Sequence, residues 1–145
     1  MEHVRQRSWR RTQTQTVAVI LAVYWAALCV GTHLPGGVID GPPVSDKLLH
    51  VTAYAGLTFL LALLLPHLGL RRGRLYAGAL LIAACYGAVD ELGQIPVPGR
   101  TPDVKDWVAN VLGALTGLTL YWLAVRTMAA WNVGWLEMEK KPSPP

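Results

Sequence analysis

Charge is what this chain has least of. Asp, Glu, Lys and Arg make up 15% of its 145 residues, against roughly a quarter in an ordinary soluble domain. With 52% hydrophobic residues, one soluble core cannot hide so much apolar sequence, and the apolar side chains are expected to face lipid. Cysteine is scarce too. Cys29 and Cys85 stand alone inside apolar runs, with no CxxC spacing. That argues against a disulfide or a metal–thiolate site, and both thiols are expected to be buried and inert. The chain has no HExxH, no nucleophile elbow and no P-loop, so no standard hydrolase or nucleotide motif is available. No inverted repeat is evident, which argues against a transporter. The formal net charge is +4. The basic residues sit beside apolar runs rather than along one polar face, which suits a membrane surface and not a nucleic acid.

What is present is four apolar runs. Residues 1–15 are polar and basic, with Arg5, Arg7, Arg10 and Arg11. Residues 16–34 then form a run long enough to span a bilayer. It is too long for a signal-peptide core and lacks a small-x-small cleavage site, so a retained anchor is predicted. A Gly/Pro loop follows over 35–44, where no helix is expected. Ser45 is placed to cap the next helix, and Asp46 favours its positive end. The second run covers 48–65 and the third 75–92, with Gly93 as a C-terminal stop. A short Pro/Gly loop leads to Thr101, predicted to cap a fourth helix with Pro102 at its first position and an end near Met128. Residues 129–145 read as a tail with interfacial Trp131 and Trp135, then disorder.

The expectation is an all-α membrane protein. It comprises a basic N-terminus (1–15), a compact four-helix membrane domain (16–128) and a tail (129–145). Arg5, Arg7, Arg10, Arg11, Arg71, Arg72, Arg74, Arg126, Lys140 and Lys141 fall on one side, and only Lys47, Arg100 and Lys105 on the other. The positive-inside rule then puts both termini in the cytoplasm.

The polar residues are unevenly placed. Asp46 and His50 are four apart, so they share a helix face with Tyr54 one turn on. Asp103, Asp106 and Asn110 share another face, continued by Gly113 and Gly117. Ala109, Gly113 and Gly117, like Ala79, Ala83 and Gly87, recur every four residues, the pattern of close helix packing in lipid. Asp90 and Glu91 fall in the last turn of the third helix, the wrong end of the dipole for a carboxylate. Lys47, Arg100 and Lys105 are the expected compensating cations.

The predicted binding site is Asp46, Lys47, His50, Asp90, Glu91, Gln94, Arg100, Asp106 and Asn110. His50, Glu91 and Asp106 are the candidates for acid–base chemistry. Plainer readings stand beside this one. Asp46 and Asp103 serve as helix-start residues. His50 is an interfacial histidine with a backbone partner. Asp90, Glu91, Arg100 and Asp106 form a salt-bridge network that fixes helix order. No cofactor is expected. A divalent metal on these acids is conceivable in charge, but no spacing matches a known metal motif.

Three segments, DKLLHVTAY, YGAVDELGQ and PGRTPDVKDWVANVLGALTG, resemble the VanZ-like family of small bacterial membrane proteins. The matching positions are Asp46, Lys47, His50 and Tyr54; Tyr86, Glu91 and Gln94; and Gly99, Arg100, Asp106, Asn110 and Gly113. The resemblance covers about residues 46–117, with the first helix as a generic lead-in. Gly93 departs from the pattern, and this bears on whether Gln94 stays on the third helix. The resemblance implies a four-helix bacterial inner-membrane protein, similar to one linked with resistance to the glycopeptide teicoplanin, and brings no settled activity.

Three functions are therefore weighed. The outward polar cluster binds an anionic envelope molecule: a lipid headgroup, a lipid-linked cell-wall precursor or a lipoglycopeptide. Alternatively the chain is an enzyme on an envelope lipid, with His50 or Glu91 as base and Arg100 as clamp. In the third reading the network only holds a bundle on which partners dock.

Overall fold

The computed structural model describes residues 2–35 and 46–139. The Ser45 cap, the loop over 36–44, and Lys140, Lys141 and the rest of the tail lie outside the described residues. The described chain forms helices α1 (Glu2–Thr32), α2 (Asp46–Leu64), α3 (Arg72–Gly93) and α4 (Val104–Glu139), with a short 3-10 helix, Leu65–Leu68, after α2. Four segments have the length and apolar composition of membrane spans: Arg11–Thr32, Asp46–Leu68, Gly73–Gly93 and Val104–Trp131. Their outer faces carry exposed large apolar side chains, among them Val19, Val23, Leu81, Val89, Leu112 and Leu120. A water-facing surface would not tolerate so wide a patch, and lipid does.

α2 is the central helix and packs on the other three. Its closest partner is α4. At Gly113 and Gly117 an added Cβ would run into the carbonyl oxygens of Val51 and Ala55. Glycine lets the two backbones meet there, as small-xxx-small faces do in lipid. α3 brings the buried Ala79 and Ala83, then Gly87, whose missing side chain makes room for Asn110 and Tyr54. α1 leans on this core through Tyr24, whose hydroxyl donates to the Ala53 carbonyl at 2.9 Å. Trp25 meets Tyr86 edge-on with ring centroids 4.9 Å apart.

The turn between α2 and α3 is short because Pro66 starts the 3-10 helix and Gly69 ends it in the left-handed region at φ 87°. Its N–H closes back on the Pro66 carbonyl at 3.1 Å.

Local expectations change at the helix ends and at the cysteines. α4 starts at Val104, so Thr101 is not its cap. Asp103 is: its carboxylate accepts the Lys105 N–H at 2.8 Å, and its carbonyl accepts from Asp106 at 2.8 Å and Trp107 at 3.2 Å. α4 also runs on past Met128 to Glu139, and the basic N-terminal stretch is continuous with α1 from Glu2. Cys29 and Cys85 are free but exposed, because the side chains on the outer faces of these helices have lipid, not protein, to cover them.

Candidate functional site

Three helix ends meet at one level. The first turn of α2 brings Asp46, Lys47 and His50. The last turn of α3 brings Asp90 and Glu91, with Gln94 just beyond. The first turns of α4 bring Asp106 and Asn110. Gln94 caps α3 rather than continuing it. Its N–H bonds to the carbonyls of Asp90 and Glu91, both at 3.2 Å. Gly93 keeps right-handed backbone, so it is no left-handed stop. It stays small because a Cβ there would lie 2.6 Å from His33 Nε2.

Asp90 and Glu91 are sequence neighbours, so the helix turns them about 100° apart, and they enter different surroundings. Asp90 faces α1 and α2. Thr32 donates to its Oδ1 at 2.8 Å, and Tyr54 to its Oδ2 at 3.5 Å. His33 Nδ1 lies 3.7 Å from Oδ1. Glu91 faces α2 and α4. Its Oε2 accepts the Asp103 backbone N–H at 3.1 Å, and its Oε1 is 4.0 Å from His50 Nδ1.

The compensation expected from Lys47, Arg100 and Lys105 is therefore supplied otherwise: by hydroxyls, histidines and the N-terminal backbone of α4. Arg100 turns away, and its Nε donates to the Leu34 carbonyl at 3.3 Å. That bond ties the α3–α4 loop to the end of α1. The expected salt-bridge network through Arg100 is not formed among the described residues.

His50 is buried at 8% exposure, and its partner is a side chain, not the backbone. Its Nδ1 lies 2.9 Å from Asn110 Oδ1. An amide oxygen only accepts, so Nδ1 carries the hydrogen of this contact. Nε2 points toward the rim, 3.9 Å from Asp46 Oδ2. At the rim, Lys47 Nζ bonds to Asp103 Oδ2 at 3.2 Å and also to Asp106 Oδ1. The Lys105 N–H, and after it the Lys47 ammonium, hold the exposed Asp103 carboxyl below its usual range.

The interior of the site holds polar atoms without partners. Glu91 Oε1, Gln94 Nε2 and Asn110 Nδ2 are buried and make no hydrogen bond among the described residues. Native proteins leave few such groups, and three at the meeting point of three helices suit a ligand or bound water. Asp46, His50 and Asp106 also offer atoms that could hold a metal, all within 4.8 Å of one another.

Of the nine predicted site residues, the structure gathers Asp46, Lys47, His50, Glu91, Asp106 and Asn110 around one mouth. Gln94 is buried at the end of α3. Asp90 lies behind, toward α1, and Arg100 off to one side. Sequence reasoning missed Thr32 and His33, which serve Asp90 from α1. No periodic signal marks them, since they lie at and beyond the last turn of an apolar helix.

No curated protein and no solved structure matches the chain. A family model described as VanZ/LLP1 matches residues 4–125. That range takes in α1 as well as the three motif-bearing helices, in keeping with the contacts α1 makes to Asp90. With most of its length matched and its motifs gathered at one end of a four-helix bundle, the chain belongs to the VanZ/LLP1 family.

Proposed function

We propose that this protein sits in the bacterial cytoplasmic membrane with both termini in the cytoplasm, and that its outward mouth binds an anionic envelope molecule. The candidates are a lipid headgroup, a lipid-linked cell-wall precursor and a lipoglycopeptide. The observation that carries this reading is the pair of buried amide donors, Gln94 Nε2 and Asn110 Nδ2, with no partner among the described residues. Donors of this kind suit the acceptor oxygens of a phosphate or carboxylate. The start of α2 lies at the same mouth, and the free N–H groups of a helix start favour negative charge.

Native mass spectrometry of the protein in zwitterionic nanodiscs, titrated with phosphatidylglycerol, tests this. Saturable binding above the zwitterionic background is expected, weakened about tenfold in Gln94→Leu, since orphaning a ligand's polar group costs about 1–3 kcal/mol. Equal retention of both lipids would refute the anion reading. A shift in teicoplanin tolerance on expression in a sensitive bacterium, lost in Gln94→Leu, would single out the lipoglycopeptide among the candidates.

A further inference from the structure

We propose that Asp46, His50 and Asp106 form a divalent-metal site at the mouth, for an ion of the class that takes imidazole and carboxylate together, such as Mn²⁺ or Zn²⁺. One ligand atom from each lies within 4.8 Å of the other two. Ligands about 2.1 Å from a shared ion stand at most about 4.2 Å apart. Closing the site therefore takes a shift of under about 1 Å. Asp46, with 54% of its side chain exposed, is the member with room to make it. Its Oδ2 and His50 Nε2 are already within range at 3.9 Å.

Two further observations point to a ligand rather than to a chance grouping of acids. The first is the orientation of His50. Its Nδ1–H is taken up by Asn110 Oδ1 at 2.9 Å, leaving Nε2 toward Asp46. Metal-binding histidines are held in this way, with the second ring nitrogen donating to a fixed oxygen. Asn110 is fully buried, so that oxygen is well placed. The second is Glu91, 6% exposed, whose Oε1 has no hydrogen-bond partner among the described residues. It lies 4.0 Å from the Nδ1 edge of the His50 ring, a buried acceptor beside the ligand histidine.

The charge balance agrees. Asp46, Asp103 and Asp106 stand at the mouth, and one ammonium, Lys47, bonds to Asp103 and Asp106. A dication offsets the excess negative charge. Lys47 then stays on Asp103 at 3.2 Å and competes with the metal for Asp106. A bound metal would also supply the positive charge that an acid-rich mouth lacks toward an anion, and that last step rests on the functional reading above.

Mn²⁺ titration followed by electron paramagnetic resonance, on the full chain in zwitterionic nanodiscs, tests the site without any anionic ligand. Saturable binding is expected, weakened at least about tenfold in Asp46→Asn and His50→Gln, and about 10–100-fold in Asn110→Leu. Asp46 is exposed, so Asp46→Asn reports on the site even where a buried variant fails to fold. Lys47→Gln is expected to tighten binding, because it removes the competing cation. No saturable binding at millimolar Mn²⁺, or binding unchanged by Asp46→Asn and His50→Gln, would overturn the metal site. If Mn²⁺ binds but chelation leaves phosphatidylglycerol retention unaltered, the metal site stands and its proposed role toward the anion fails.

Discussion

Removing the Asn110 carboxamide should loosen the bundle by more than an average membrane hydrogen bond is worth. Side-chain hydrogen bonds between membrane helices average about 0.6 kcal/mol. Asn110 differs because it is fully buried and is the acceptor for His50 at 2.9 Å. In Asn110→Ala the His50 Nδ1–H loses that acceptor inside protein, a cost of about 1–3 kcal/mol. The truncation also opens a cavity between α2, α3 and α4, since Gly87 packs against the Asn110 side chain, and cavities add to the loss. A destabilisation of about 2 kcal/mol is expected, with the orphaned donor as the larger part. Asn110→Asp keeps an acceptor in place and should lose less. Equilibrium unfolding in mixed micelles, followed by tryptophan fluorescence, measures both variants. If Asn110→Ala stays within about 0.5 kcal/mol of the parent, as a surface change would, Asn110 does not hold His50 and the tautomer assigned above falls.

Gly113→Ala places a Cβ against the Val51 carbonyl, which is backbone and cannot turn aside, so a loss of about 1–3 kcal/mol is expected in the same assay. An unchanged midpoint would mean that α2 and α4 do not approach as described. Asp103 has its carboxyl held low in the fold, so it contributes stability at neutral pH that is lost as pH falls through its folded value. The gap between the parent and Asp103→Asn should therefore be present at pH 7 and vanish in acid; a gap that widens in acid would reverse the assignment. A reporter fused after Lys141 should read as cytoplasmic, and an external signal would invert the topology.

Much of this fold is legible in the sequence because hydropathy and helical phase are strong local signals. The four spans follow from apolar length. The face shared by Asp106, Asn110, Gly113 and Gly117 follows from spacing, and that face does meet α2. Less legible is anything that depends on a backbone partner or on a helix end. The Glu91 carboxylate is met by a main-chain N–H, that of Asp103, and Arg100 by a main-chain carbonyl, that of Leu34. Neither partner has a side-chain identity to read. The start of α4 moved because Asp103 outcompetes Thr101 as a cap, its carboxylate accepting from Lys105 while also meeting Lys47. The part played by α1 was hidden because Thr32 and His33 reach Asp90 across 58 and 57 positions of chain.

The most direct test of a ligand-binding mouth is nitrogen-15 NMR of the histidine side chains, with the protein in zwitterionic nanodiscs titrated with phosphatidylglycerol. His50 stands at the mouth, and His67 lies on the 3-10 helix after the far end of α2, about 26 Å along the chain axis. A saturable shift of the His50 ring nitrogens with His67 unmoved is the expected result. A still His50, or equal drift of both, would contradict it.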